Sequence, residues 1–165
     1  MSPPQLRSAL AGLLGLGIVL TGCTTMTDLP SLPRQISLES DCNGCRVATV
    51  IVLRADGQVL WRQVGKARLG TADRTLEGRV GAAEFAAIAG LWRAGRLGDL
   101  GETVADPQTA DGPWQLLRLE GADGTVQQIF RRGDAGPEAL AEVIEAIQQL
   151  ARKLGLSPPQ GVGGR

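Results

Sequence analysis

The chain has 165 residues, enough for one domain, and its 17 lysine and arginine side chains are balanced by 17 aspartate and glutamate side chains. This balance and the scarcity of aromatic residues (three Trp, two Phe, no Tyr) argue against a nucleic-acid-binding surface. Histidine is absent, which weighs against Ser-His catalysis and His-based zinc chemistry but leaves carboxylate chemistry open.

The N-terminal segment has the pattern of a lipoprotein signal peptide. Arg7 precedes an apolar run over residues 9–20, which is too short to span a bilayer comfortably and has the size of a signal-peptide hydrophobic region. The sequence Leu20-Thr21-Gly22-Cys23 that follows resembles a bacterial lipobox. We therefore predict a signal peptide over residues 1–22 and lipidation (acylation, with palmitate as the expected group) of Cys23. The alternative is an ordinary signal peptide with a cysteine there by chance.

The remaining chain divides into a tether, a domain and a tail. Residues 23–35 are small and polar and include two prolines, which predicts a flexible tether, and residues 155–165 are rich in proline and glycine, which predicts a disordered tail. A single domain is expected over residues 36–154. Because Thr24 follows the cysteine in place of an aspartate that would retain a lipoprotein in the inner membrane, we expect the outer membrane of a Gram-negative envelope, facing the periplasm.

Hydrophobic patterning predicts a β-hairpin at the start of the domain. Residues 47–54 are mostly apolar and β-branched, and Asp56-Gly57 separates them from a second apolar run over residues 59–64. An Asp-Gly pair between two such runs indicates a hairpin, because glycine accepts the positive φ of a tight turn. Short additional strands are expected at residues 36–40 and 75–80.

Two helices are expected, one after each hairpin. Residues 82–94 carry apolar side chains at helical spacing after Gly81, which can act as the N-cap. Residues 137–154 show the same spacing, with Pro137 at the first helical position, where a missing N–H costs nothing.

The second half of the chain repeats the order of the first. Residues 114–120 and 125–131 read as strands joined by a turn at Asp123-Gly124. This repetition has two open explanations, an internal duplication or two ordinary hairpins. The expected fold is α+β with two layers: an antiparallel sheet carrying two helices on one face, in the order β-β-α-β-β-α, to which extra edge strands can be added.

A series of short motifs supports a family resemblance through its order along the chain. The motifs are Cys42-Asn43-Gly44-Cys45, Asp56-Gly57 with Val59 and Trp61, Glu84-Phe85, Gly95-Arg96-Leu97, Asp111 with Pro113, and Pro137 with Leu140. In this order they resemble the bacterial domain of unknown function family 6438, often found on envelope lipoproteins. The resemblance covers residues 36–153 and implies a fold and an envelope location, but no activity. The family has one more residue between its cysteines and a proline after the second, where this chain has Arg46.

Cys42 and Cys45 have three interpretations: a redox centre, half of a metal site, or a structural disulfide. Redox pairs of the thioredoxin type lie between a strand and a helix, whereas this pair precedes a strand. A structural zinc site needs four ligands, and only these two cysteines remain once Cys23 is lipidated. A disulfide is the leading interpretation in an oxidising compartment, and we predict no metal site and no cofactor.

Two further sets of residues are candidates for function. Asp106 and Asp111 lie in a long polar loop and could serve a small envelope hydrolase, although turn formation beside Pro113 explains Asp111 as well. Trp61 and Trp114 lie on predicted strands, where core packing is favoured. The alternative is an exposed tryptophan pair on the uncovered sheet face, which would form a partner surface.

These observations lead to one predicted function and one alternative. We predict a lipid-anchored, non-catalytic module that binds an envelope protein or a cell-wall component through the uncovered sheet face. Its candidate binding residues are Trp61, Trp114 and Asp111. The alternative is the hydrolase that uses Asp106 and Asp111. An enzyme is the less favoured of the two classes, and no catalytic residue is assigned.

Overall fold

The computed structural model describes residues 31–105 and 111–156, which form one seven-stranded sheet and two α-helices. The strands are β1 (Gln35–Asp41), β2 (Val47–Arg54), β3 (Gln58–Gly65), β4 (Arg74–Arg79), β5 (Thr103–Ala105), β6 (Trp114–Glu120) and β7 (Val126–Arg132), and the helices are α1 (Ala82–Ala94) and α2 (Glu138–Lys153). The predicted α+β class is confirmed. No helix in the described residues is long and apolar enough to span a membrane.

The strand order across the sheet is β4-β3-β2-β1-β6-β7-β5. Two hairpins, β2–β3 and β6–β7, flank β1, which pairs antiparallel with β2 on one side and with β6 on the other. The extra strand expected before the first hairpin is therefore central and not at an edge. The expectation of a wholly antiparallel sheet is also corrected, because β5 pairs with β7 in parallel.

Both predicted Asp-Gly turns have the same local structure. Gly57 and Gly124 each adopt a φ of 85°, which a side chain would disfavour. The Asp56 carboxylate accepts a hydrogen bond from the Gln58 N–H at 2.9 Å, and the Asp123 carboxylate accepts one from the Thr125 N–H at 2.9 Å. These Asx-type bonds stabilise each turn and so set the register of the strands that it joins.

The hydrophobic core combines alternate residues of the sheet with one side of each helix. On the sheet it includes Ile36, Leu38, Ile51, Leu53, Val59, Trp61, Leu117 and Ile129, and on the helices it includes Phe85, Ile88, Trp92, Leu140, Val143, Ile144, Ile147 and Leu150. Successive residues of a strand point to opposite faces, so these sheet residues share one face.

Helix α1 begins as predicted, with the Gly81 N–H donating to the Glu84 carboxylate. Helix α2 begins one residue later than predicted, because Pro137 is its N-cap.

The two ends of the folded region extend beyond the predicted boundaries. Leu156 is buried in the core and lies against β4, where a Cβ on Gly78 would meet its side chain at 2.9 Å. At the other end Pro33 is buried, and the Arg34 N–H donates to the Glu120 carbonyl at 2.8 Å. The folded part of the chain therefore includes residues 33 and 156, which lie outside the predicted domain bounds of 36–154.

Candidate functional site

The sheet face opposite the core carries a second set of apolar side chains. They are Val50 and Val52 on β2, Leu60 and Val64 on β3, Trp114 and Leu116 on β6, and Phe130 on β7, and all are partly exposed. We call this surface the outer face. It follows from strand geometry, because these residues alternate with the core residues on the same strands.

An aromatic cluster lies on the outer face at β6 and β7. The Trp114 and Phe130 rings stack with their centroids 5.8 Å apart and their planes inclined by 28°. The Arg132 guanidinium carbon lies 5.6 Å from the Phe130 centroid, within the range of a cation–π contact. Stacked aromatic and arginine side chains are the residue types that most often dominate binding energy at protein interfaces.

The outer face is more positive than the chain as a whole. Among the described residues it carries five arginines, at positions 54, 62, 79, 118 and 132, and two glutamates without an ion pair, at positions 39 and 77. Two further acidic groups at its margin are neutralised, Asp41 by Lys66 at 2.8 Å and Glu120 by Arg34. Because the whole chain is formally neutral, its charge is unevenly distributed, with a positive surplus on this face.

The two cysteines form a small loop at the end of β1. The Cys42 and Cys45 sulfur atoms lie at disulfide-bonding distance, and their Cα atoms are 5.2 Å apart. The loop is fixed to the β3–β4 connection, because the Asp41 carboxylate accepts hydrogen bonds from both the Cys42 N–H (2.7 Å) and Lys66 Nζ (2.8 Å). The Thr71 hydroxyl adds a bond to the Arg46 carbonyl at 2.7 Å. This is the setting of a structural clip between a strand and a loop.

The structure places the candidate binding residues in different parts of the molecule. Trp61 has 2% of its surface exposed and belongs to the core, in agreement with the favoured interpretation, so the alternative of an exposed tryptophan pair does not hold. Of the two tryptophans, only Trp114 lies on the outer face. Asp111 is exposed just before β6. Cys23 and Asp106 lie outside the described residues. Within residues 31–105 and 111–156, no group of three or more acidic or cysteine side chains is placed to hold a metal ion.

Carboxyl groups with perturbed pKa values lie away from the outer-face aromatic cluster. A hydrogen bond from Lys153 and one from the Gly81 N–H lower the pKa of Glu84 at the start of α1. Hydrogen bonds from Thr125 lower the pKa of Asp123 in the β6–β7 turn, and those from Gln149 and Arg152 lower the pKa of Glu145 on α2. All three shifts keep the carboxylate ionised, which suits capping and surface ion pairs.

Sequence reasoning missed Phe130 and the arginines of the outer face. Strand alternation places residues 114 and 116 of β6 on one face, and residues 130 and 132 of β7 on one face. That these four residues share the same face follows only from the register between the two strands.

Sequence reasoning also missed Arg131, which points to the core face. Arg131 is only 7% exposed. Among the described residues its Nε has no hydrogen-bond partner, and it forms one ion pair, 3.5 Å long, to the exposed Asp134.

Comparison with known proteins adds no relative. A scan against protein-family models finds no match, and a search of curated proteins finds no match either. The resemblance to the domain family 6438 therefore stays a prediction based on the order of its motifs.

Proposed function

We propose that this chain is a lipid-anchored protein of the bacterial cell envelope, held by Cys23 on the periplasmic side of the outer membrane, that binds an envelope protein or a cell-wall component through its outer face. The module is non-catalytic and acts by positioning its partner near the membrane. The observation that carries the proposal is the partly exposed aromatic and arginine cluster of Trp114, Phe130 and Arg132.

The distribution of burial supports a two-layer arrangement in which both helices cover the same sheet face. Each helix contributes side chains to the one cluster that also contains the inward residues of β1, β2, β3, β6 and β7. The apolar side chains of the outer face do not belong to that cluster, whereas residues next to most of them on the same strands do. On this face Ser37 and Glu39 of β1 lie between the apolar residues of β2 and β3 and those of β6 and β7. Partly exposed apolar groups bordered by charged side chains are typical of a protein interaction surface.

The position of the tether favours the same use of the outer face. Cys23 precedes Ser31, the first described residue, by eight positions, which span at most about 28 Å when extended. The chain then enters β1 at Gln35, whereas Trp114 pairs with Asp41 at the other end of that strand. Given the rise per residue of a strand, Trp114 and the aromatic cluster lie about 20 Å from Gln35, the residue at which the chain enters β1.

Photocrosslinking in intact cells tests this function directly. A photoreactive residue is placed at Arg62 or Arg118, which are exposed on the outer face, and at Glu142 or Gln149, which are exposed on α2, as matched controls. The proposal predicts that the outer-face positions capture one reproducible envelope component and that the α2 positions do not. Equal capture at both sets, or capture at neither, would contradict it.

A further inference from the structure

The two edges of the sheet differ in length and in protection. Strand β5 has only three residues, and such a short strand offers little edge to another chain. Strand β4 has six residues, pairs with β3 without a bulge, and contains no proline and no lysine. Among the described residues no strand lies on its far side. Strand β4 is therefore the long, regular edge of this sheet.

The backbone of β4 presents unpaired groups at this edge. The Val80 N–H donates to the Gly57 carbonyl at 2.9 Å, which places residue 80 at a hydrogen-bonded position. Antiparallel bonds alternate along a strand, so residues 74, 76 and 78 also bond to β3. The N–H and C=O groups of Thr75, Glu77 and Arg79 then point away from the sheet, and none has a backbone partner in the described part of the chain.

The side chains of β4 are complementary to those of a second β4 strand in one antiparallel register. With Gly78 opposite Gly78 of the second copy, Glu77 faces Arg79 of that copy and Arg79 faces its Glu77, while Leu76 faces its Val80. In the described part of the chain Glu77 forms no ion pair, and the side chain of Arg79 forms a single long hydrogen bond, 3.3 Å, to the Asp56 carbonyl. Both charges are therefore available across the edge. A register shifted by one residue in each strand would instead place Glu77 opposite Glu77.

We infer that β4 pairs with β4 of a second copy of this chain and joins the two sheets into one. The unpaired groups of Thr75, Glu77 and Arg79 then bond across a two-fold axis. The outer face is a poorer surface for this contact, because its positive surplus would repel its own copy. Since the axis of an antiparallel strand pair is perpendicular to the sheet, the outer faces of both copies lie on the same side. The inference does not depend on the nature of the partner proposed above.

Charge exchange at two positions tests the contact. Two full-length copies with different affinity tags are expressed together, and their co-purification is measured for the natural chain and for Glu77→Arg and Arg79→Glu. Each variant paired with itself places like charges opposite each other twice, so co-purification should fall by about tenfold or more. Glu77→Arg paired with Arg79→Glu restores two opposite-charge contacts and should co-purify like the natural pair.

Any one of three co-purification results would overturn the inference. The natural pair does not co-purify, or a variant co-purifies with itself as well as the natural chain does, or the mixed pair fails to recover. Because both side chains are exposed, thermal unfolding of each variant should match that of the natural chain, which separates loss of contact from loss of fold. Slow amide exchange at residues 75, 77 and 79 in a monomeric chain would also overturn it, since another segment would then cover the edge.

Discussion

Trp61 on β3 and Trp114 on β6 show how two similar residues in one sheet acquire different roles. Each lies on a strand flanked by apolar residues, and each was a candidate for both core and surface. Trp61 points to the core face, where it pairs with Ile51 and Leu76 across the strands. Trp114 points to the outer face and stacks on Phe130. Only the face to which each residue points distinguishes them.

We predict that the two tryptophans differ in what their removal costs. Trp61→Ala leaves a large cavity in the core and should lower the free energy of unfolding by about 3 to 5 kcal/mol. Trp114→Ala should lower it by less than half as much, because the side chain is partly exposed, while reducing partner capture at Arg118. Denaturant unfolding and photocrosslinking of both variants measure these effects. Equal destabilisation by the two substitutions would contradict the assignment of faces.

At the scale of elements, a surface ion pair links the two helices. Glu84 in the first turn of α1 accepts hydrogen bonds from Lys153 in the last turn of α2 and from the Gly81 N–H. A carboxylate at a helix N-terminus and an ammonium at a helix C-terminus both match the helix dipole. The pair thus completes a cap on α1 and ties together the ends of two helices.

This pair predicts a specific dependence of stability on pH. The Lys153 hydrogen bond and the Gly81 N–H lower the pKa of Glu84 in the folded state from its ordinary value near 4.5. Its stabilising contribution is therefore complete above that value and is lost as the pH falls through the lowered folded-state pKa. The stability difference between the natural chain and Glu84→Gln, measured by thermal unfolding, should shrink as the pH falls below about 4.5. Glu142→Gln, an exposed change on α2, is the control, and a difference that grows at low pH would contradict the assignment.

The elements themselves were largely predictable, whereas their arrangement was not. Helix α1 and strands β2 and β6 have the predicted bounds, because apolar periodicity and Asp-Gly turns are local signals. The central place of β1 depends on its pairing with β6, far along the chain, and no local pattern encodes that pairing. Strand β5 is too short to show a period. For the outer-face cluster, the sequence predicts Trp114 as a candidate binding residue. Its contact with Phe130 depends on the register between β6 and β7, which the sequence does not show.

At the scale of the whole molecule, lipid anchoring would place a positively charged, partly apolar sheet face near a membrane. Pairing through β4 would place two such faces side by side on one assembly. A partner that contacts both copies would gain affinity from the second contact, because that contact forms at high effective concentration. The tether would set how far from the membrane this surface can reach.

The proposed function includes attachment of the chain to the membrane through Cys23, and fractionation of a Cys23→Ser variant tests this attachment most directly. The natural chain should appear in the membrane fraction and carry the additional mass of acyl groups. The variant should lose that mass and leave the membrane fraction. Unchanged fractionation of the variant, or a natural chain without acyl mass, would contradict the proposal of a lipid-anchored envelope protein.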